Sequence, residues 1–470
     1  MQGNSPLTHS LVFDIEAGYP HDDDSDTLTL QSKVESQTKQ ASFWNRLTGK
    51  SHATVGWKQS IKAIATYSWL NVLFIFVPCA WVAHFMHPSH NLIFALCVLA
   101  MIPLTKMLHY IGDQLALNCS KATGDLITVT VHNFVETILS IILLSKCELK
   151  LLQSTIAGII LLRILLVSGT AFITGGLRRK SQMLHPQQNQ LNQTLLMTGT
   201  FALLLPVLFY KAIDHNSNTF PGSSVINEPL RQQILIISRA LSPLLLLIYI
   251  CSCYYIHYPL DENTEKDAGY FNDHDPENPE INFWMCLVVV LIVGGLMSVT
   301  TEFLVSSIQP LKHQSGIREE FFGLVLIPLV SYSADGLLVS VFYIRSQLRH
   351  LLGAPYKPAG SLAETRSIDL SIQFLIFWTP LLVLVALIFG KPFSLLFDTF
   401  EVILLLAAGF LLNYVTFDSK TNWAEGVMLV AFYFMVVITA WFYPGRHDFQ
   451  ELLSCSVLSN VSNTLLVQSV

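Results

Sequence analysis

Residues 132–136 read His132-Asn133-Phe134-Val135-Glu136, and residues 331–335 read Ser331-Tyr332-Ser333-Ala334-Asp335. Each stretch is a polar cluster closing on a carboxylate. Each also lies in an apolar run long enough to cross a bilayer, which takes roughly 20 mostly apolar residues as helix. A charged side chain at membrane depth is costly, so one that persists there marks a functional site. Two such sites at matching places in the two halves of a chain are the pattern of inverted repeats, with the site at the repeat interface. The two stretches therefore decide the fold class: an all-α integral membrane protein with two inverted repeats.

Outward from these stretches, hydropathy predicts about eleven spans. They lie near 69–86, 92–110, 124–145, 154–175, 194–210, 234–258, 283–304, 320–344, 370–390, 398–417 and 425–443. Of 470 residues, 52% are hydrophobic and only 13% charged. That charged share is about half of what soluble domains carry, which argues against a soluble helical protein. No secretory signal is evident, because the first apolar run is too long and comes too late.

The organisation follows from composition. Residues 1–65 read as a disordered cytosolic N-terminal segment with an acidic cluster at Asp22, Asp23, Asp24 and Asp26. The first transmembrane repeat covers 66–258 and the second 283–444. Between them, 259–282 is an acidic linker: Asp261, Glu262, Glu265, Asp267, Asp273, Asp275, Glu277 and Glu280. It reads as solvated, with the charge to attract cations. Residues 445–470 form a C-terminal tail.

Basic residues orient the chain. Arg46, Lys50, Lys58 and Lys62 precede the first span, Arg178, Arg179 and Lys180 follow the fourth, and Arg345, Arg349, Lys357 and Arg366 follow the eighth. A cytosolic N-terminus puts all of them on the cytosolic side, and an odd number of spans then puts the tail in the lumen. The eight cysteines are scattered and read as small packing residues. There is no phosphate-binding loop, dinucleotide fingerprint, paired-cysteine zinc pattern or nucleophile elbow. No nucleic-acid partner and no cofactor are expected, beyond a bound cation.

The chain resembles the calcium/proton exchanger family of vacuolar membranes, within the sodium/calcium exchanger superfamily, over roughly 65–445. In the first half the resemblance runs through Ile102-Pro103-Leu104-Thr105-Lys106, Asp113-Gln114-Leu115-Ala116, the cluster at 132–136, Gln153 and Leu165-Leu166-Val167-Ser168-Gly169. In the second half it runs through Glu302-Phe303-Leu304-Val305, Gly323-Leu324-Val325-Leu326-Ile327-Pro328, Gln373 and Thr379-Pro380-Leu381-Leu382-Val383-Leu384. It continues through Gly390-Lys391-Pro392, Phe397-Asp398-Thr399-Phe400-Glu401 and Asp418-Ser419-Lys420-Thr421-Asn422-Trp423-Ala424-Glu425-Gly426. The resemblance implies a proton-coupled cation antiporter of an endomembrane, vacuolar or similar. Its partners would be membrane lipid, cations and protons.

The ion motifs are where the chain departs. Each repeat of the family carries Gly-Asn-Ala-x-Glu. The first copy keeps Asn133 and Glu136, with His132 for glycine, Phe134 for alanine and Thr128 at an upstream asparagine. The second keeps only the acid, shortened to Asp335, with Tyr332 for asparagine, Ser331 for glycine and Gly336 for the usual histidine. On the partner helix, Gly-Ser-x-x-Ser-Asn has become Gly158-Ile159-Ile160-Leu161-Leu162-Arg163. Gln373 and Ser371 survive, and Asp369 replaces a glycine.

Calcium takes six to eight oxygens at about 2.3–2.6 Å, several of them anionic. Asn133 and Glu136, three apart, share a helix face, as do Tyr332 and Asp335. The resemblance makes Glu136, Asn133, Asp335 and Gln373 the metal-binding set, with Arg163, Tyr332, Thr128 and Ser371 modifying the cavity. Ile159 and Leu162 donate nothing. Arg163 repels a divalent cation and is expected to pair with Glu136 or Asp335. Glu136, buried in an apolar run, is expected to take up and release a proton. Asp113, Asp125 and Glu302 lie near span ends and read as interfacial.

Two readings follow. In one, Glu136 and Asp335 alternate between cation and protons as the repeats rock, with weakened or altered selectivity. In the other, the fold has lost ion exchange. It then acts as a regulatory pseudo-transporter, or as a membrane-embedded enzyme cyclising or isomerising a lipophilic small molecule. The catalytic residues would be Glu136, Asp335 and His132, beside Tyr332 and Arg163.

Overall fold

In the hydrocarbon layer every backbone N–H and C=O must be satisfied within the chain, so apolar runs of this length fold as helices. The computed structural model describes residues 56–86, 89–119, 121–176, 182–184, 186–217, 228–257, 279–333, 336, 362–445 and 455. Among them, seven helices are long and apolar enough to cross a membrane: His90–Leu117, Leu149–Gly176, Pro186–Ile213, Leu230–Ile256, Phe283–Lys312, Arg366–Ile388 and Trp423–Phe442. Two bent pairs add two more, one of them Thr123–His132 with Phe134–Ser145 at 48°. The shorter apolar helix Thr399–Val415 and the helix running from Glu319 through residue 333 account for the remaining two of the eleven expected spans.

We label the helices that position the site. They are α1 (His90–Leu117), α2 (Lys121–His132), α3 (Phe134–Ser145), α4 (Leu149–Leu161), α5 (Ser168–Gly176), α6 (Phe283–Ser315), α7 (Leu362–Gln373), α8 (Thr379–Ile388) and α9 (Trp423–Phe442). Inverted repeats enter the bilayer from opposite sides.

The repeat is visible in local backbone geometry. One π-helical turn, Leu162–Val167, joins α4 to α5, and another, Phe374–Trp378, joins α7 to α8. Widening a helix by one residue leaves a carbonyl without its usual partner, and each turn solves this the same way. Ser168 Oγ donates to Arg163 O at 3.0 Å, and Thr379 Oγ1 donates to Phe374 O at 2.8 Å. Each hydroxyl lies five residues beyond the carbonyl it caps. A third π turn, Phe322–Leu326, opens the eighth span. Such turns occur mostly at functional sites.

Two apolar cores meet along α3. One gathers Val77, Cys97, Leu108 and Met297 with Val135 and Ile138. The other gathers Leu152, Leu165, Phe374 and Leu405 with Leu139 and Leu143. Glu136 therefore sits at the seam between two bundles. Within the second core, Gly158 and Gly323 let two helices approach closely. A Cβ at Gly158 would overlap the Leu324 backbone, and one at Gly323 would lie 2.6 Å from Ser154 Cβ. Gly158→Ala is expected to cost about 1–3 kcal/mol through overpacking and to lower the unfolding temperature in detergent by several degrees. Gly295→Ala, with nothing within 4 Å of its Cβ, is the neutral control.

Contacts between loops agree with alternating spans. Strands Gln182–Met183 and Lys420–Thr421 pair antiparallel at one face, joining the segment after α5 to the turn before α9. At the other face Lys150 pairs with Glu320, Arg318 donates to Phe442 O, and Tyr443 Oη donates to Asp398 Oδ1 at 2.9 Å.

Three expectations need correction. Trp57–Thr66 is helical, so ordered backbone begins inside the segment read as disordered. Its amphipathic pattern holds one face on the body, where Ser60 Oγ accepts from Asn282 N at 3.3 Å. Cys147 and Cys455 lie side by side, their Cα atoms 6.4 Å apart, so these two are not scattered. Asn133 and Glu136 do not share one straight helix, because the chain breaks at Asn133 (φ −88°, ψ −2°). The N-terminal acidic cluster, most of the acidic linker and Asp335 lie outside the described residues. Of the linker, Glu280 is described, and it accepts from Tyr110 Oη at 3.0 Å.

Candidate ion-coupling site

Glu136 opens α3 one turn past the break and is 7% exposed. Arg163, also 7% exposed, reaches it from the π turn after α4. Arg163 Nη2 lies 2.8 Å from Glu136 Oε1. The other terminal nitrogen donates to Asn133 Oδ1 and, at 3.4 Å, to Leu370 O. The guanidinium stacks on Phe374, 5.8 Å from the ring centroid. A planar fork of donors meets a carboxylate, an amide oxygen and an aromatic face at once, which an ammonium cannot do.

The network extends into the second repeat. Asn133 Nδ2 donates to Gln373 Oε1 at 2.6 Å and to Leu370 O at 3.2 Å. Gln373 Nε2 donates to Thr130 Oγ1 at 3.0 Å. Asn133 and Gln373 are fully buried, and these bonds satisfy their side-chain amides and the Leu370 carbonyl. Glu136, Asn133, Gln373 and Arg163 thus come together from three spans and both repeats.

An oxygen count shows what this arrangement does. Glu136 Oε1 and Asn133 Oδ1 are taken by Arg163, and Gln373 Oε1 is taken by Asn133. Glu136 Oε2 is buried without a hydrogen-bond partner. Among the described candidate residues, one open carboxylate oxygen beside a neutral ion pair is far from the six to eight that calcium needs. A divalent ion 4 Å from the guanidinium meets about 8 kcal/mol of repulsion at an effective dielectric of 20. Arg163 also supplies the counter-charge to Glu136 that the sequence leads one to expect.

The other candidates lie apart or are spent. His132 Nε2 is 3.2 Å from Asp113 Oδ1, and its ring stacks on His109 at 3.9 Å. Asp113 in turn pairs with Arg366 at 2.6 Å. His132 therefore ties α2 to α1 and α7 and does not face Glu136, so the catalytic grouping of the two is not assembled. Ser371 Oγ donates to Ser367 O at 2.8 Å within its own helix. Thr128 is half-buried on α2. Tyr332 is half-buried with its ring over Gly336, where a Cβ would sit 3.0 Å from the ring. The loss of the usual histidine at 336 makes room for the tyrosine.

Two features were missed in the sequence. Asp369, noted only as replacing a glycine, accepts from Asn192 at 2.6 Å and Gln188 at 3.1 Å. A buried acid demands such partners, and the polar run Gln187-Gln188-Asn189-Gln190 was the signal. The link from Asp113 to Arg366 was hidden because both residues read as span-end charges.

These features define a class: a helical membrane exchanger fold with two inverted repeats and a polar site where they cross. The family model described as sodium/calcium exchanger protein matches residues 89–258 and 285–442, and the chain belongs to that family. A vacuolar calcium ion transporter of Cryptococcus neoformans is 28% identical, covering 86% of this chain and 78% of that one. One of Schizosaccharomyces pombe is also 28% identical, covering 82% and 87%. A Ca(2+)/H(+) antiporter of Aphanothece halophytica is 27% identical, covering 79% and 96%. Among solved structures, native YfkE superposes with a TM-score of 0.62 at 20% identity, covering 80% of this chain and 100% of that one. The H+/Ca2+ exchanger CAX gives 0.55 at 15%, covering 88% and 95%. At these identities the structural likeness concerns the fold.

Proposed function

We propose that the protein is a proton-coupled cation exchanger of an endomembrane, vacuolar like its fungal relatives, with its N-terminus in the cytosol. In it Arg163 sits in the seat a divalent cation would take, and calcium exchange is weak or lost. Family membership and the relatives named as calcium/proton antiporters support the exchange reaction. The Glu136–Arg163 ion pair is the observation that carries the altered selectivity. Glu136 and Asp335 are the carboxylates that alternate between cargo and protons. Asn133 and Gln373 hold the seam between repeats, so rocking one bundle on the other re-sorts this network and re-exposes the carboxylates.

The test is purified protein in vesicles under an imposed pH gradient, challenged with a panel of monovalent and divalent cations. Collapse of the gradient by a monovalent or a small divalent cation, with little response to calcium, is the expected result. A gradient that no cation dissipates, with the protein correctly inserted, would end the exchanger reading.

A further inference from the structure

We propose that Cys147 and Cys455 form a native disulfide that ties position 455 to the turn between the two helices carrying Glu136 and Arg163. We infer further that it fixes this face of the protein in an oxidising, non-cytosolic compartment. The Cα atoms are 6.4 Å apart, within the span a disulfide bridges.

The backbone at Cys147 argues that the cysteine is there for its side chain. The turn after α3 is a helix-ending loop in which Glu148 N donates to Leu143 O at 3.0 Å and Cys147 N donates to Leu144 O at 3.1 Å. That 6→1 and 5→2 pattern places Cys147 at the left-handed position where glycine is the usual residue. Its φ is 63°, and only one other non-glycine among the described residues, Ser419, shares a positive φ. A β-carbon is disfavoured there. A strained residue that persists is a pointer to function, and here the side chain's bond supplies one.

Sidedness agrees. The turn at 146–148 lies on the face where Lys150 meets Glu320, Arg318 meets the end of α9 and Tyr443 meets Asp398. The end of α9 therefore lies on the same face as Cys147. The paired strands Gln182–Met183 and Lys420–Thr421 mark the opposite face, which the positive-inside bias of the sequence makes cytosolic. The free cysteines nearest span ends on that opposite face are Cys119, Cys251, Cys253 and Cys286. Thiols on one face and a disulfide on the other are what a membrane between a reducing cytosol and an oxidising lumen imposes.

Formation of the bond removes two protons and two electrons from the two thiols. The electrons pass by thiol–disulfide exchange to a lumenal oxidoreductase disulfide, which becomes a dithiol. The inference stands independently of the exchanged ion.

The experiment uses the full-length protein in sealed membrane vesicles with the cytosolic face outward. Thiols are blocked with a maleimide, and the protein is digested without reduction and mapped by mass spectrometry. The expected result is one linked peptide pair containing Cys147 and Cys455, which an impermeant phosphine reduces only after the vesicles are opened. Maleimide on both cysteines before reduction would overturn the bond. Reduction from outside intact vesicles would overturn the sidedness. Cys147→Ser, Cys455→Ser and the double variant are expected to lower the unfolding temperature equally, by several degrees. Cys147→Gly, which suits the turn, is expected to lower it less. Additive losses in the double variant would also count against a bond.

Discussion

Glu136→Gln is expected to destabilise the protein by about 3–5 kcal/mol, because it strands a buried guanidinium. At 2–4 °C per kcal/mol, the unfolding temperature in detergent should fall by on the order of 10 °C. The loss belongs to the pair and not to the glutamate alone. Arg163→Leu should be similarly costly, since it strands the carboxylate. The double variant Glu136→Gln with Arg163→Leu should recover most of the loss, because no buried charge is then left unpaired. A thermal-unfolding double-mutant cycle measures this coupling. Additive losses would mean that the 2.8 Å contact carries no mutual stabilisation. In transport, Glu136→Gln also removes a carboxylate the exchange reaction needs, so any proton-coupled flux should drop to background.

The second large effect is a gain. Arg163→Asn, combined with Tyr332→Asn and Asp335→Glu, restores three residues of the family's ion motifs. It releases Asn133 Oδ1 and Glu136 Oε1 from the guanidinium, returns an amide carbonyl at 332 and lengthens the second acid. Relief of the repulsion from Arg163, about 8 kcal/mol before screening and relaxation, leaves ample room for a tenfold rise, which needs only about 1.4 kcal/mol. Proton-driven calcium uptake into vesicles should therefore increase at least tenfold over the unmodified protein. Gly336→His is a useful addition only alongside Tyr332→Asn, because the tyrosine ring occupies the space above Gly336. Uptake that stays at the unmodified level in the folded triple variant would place the block elsewhere.

The fold was legible because bilayer physics leaves few options. Apolar runs of span length must be helices. Pairing of Arg163 with Glu136 was also legible, since a mid-span guanidinium needs an anion and few were within reach. The break at Asn133 was not. Nothing in Val131-His132-Asn133-Phe134 carries a proline or glycine signal. The bend depends on Gln373 and Leu370, some 240 positions away, taking the amide's hydrogen bonds. The π turns were equally hidden. Their signature is a hydroxyl five residues after a carbonyl, and Ser168 and Thr379 read as ordinary small polar residues until the widened turns are seen. His132 misled because proximity in sequence suggested a shared site, whereas the bend turns its ring to Asp113 and His109.

The central claim is that a tethered guanidinium holds the place of the cation. Calcium-dependent thermal stabilisation of the purified protein tests it most directly. A ligand at 1,000 times its dissociation constant stabilises the native state by about 4 kcal/mol, so millimolar calcium would act strongly on an intact micromolar site. The account predicts no calcium-dependent shift in the unmodified protein, or one that Glu136→Gln leaves untouched because it arises at the acidic linker. It predicts a clear shift in the Arg163→Asn, Tyr332→Asn, Asp335→Glu variant. A calcium-dependent rise in the unmodified protein that Glu136→Gln abolishes would contradict it.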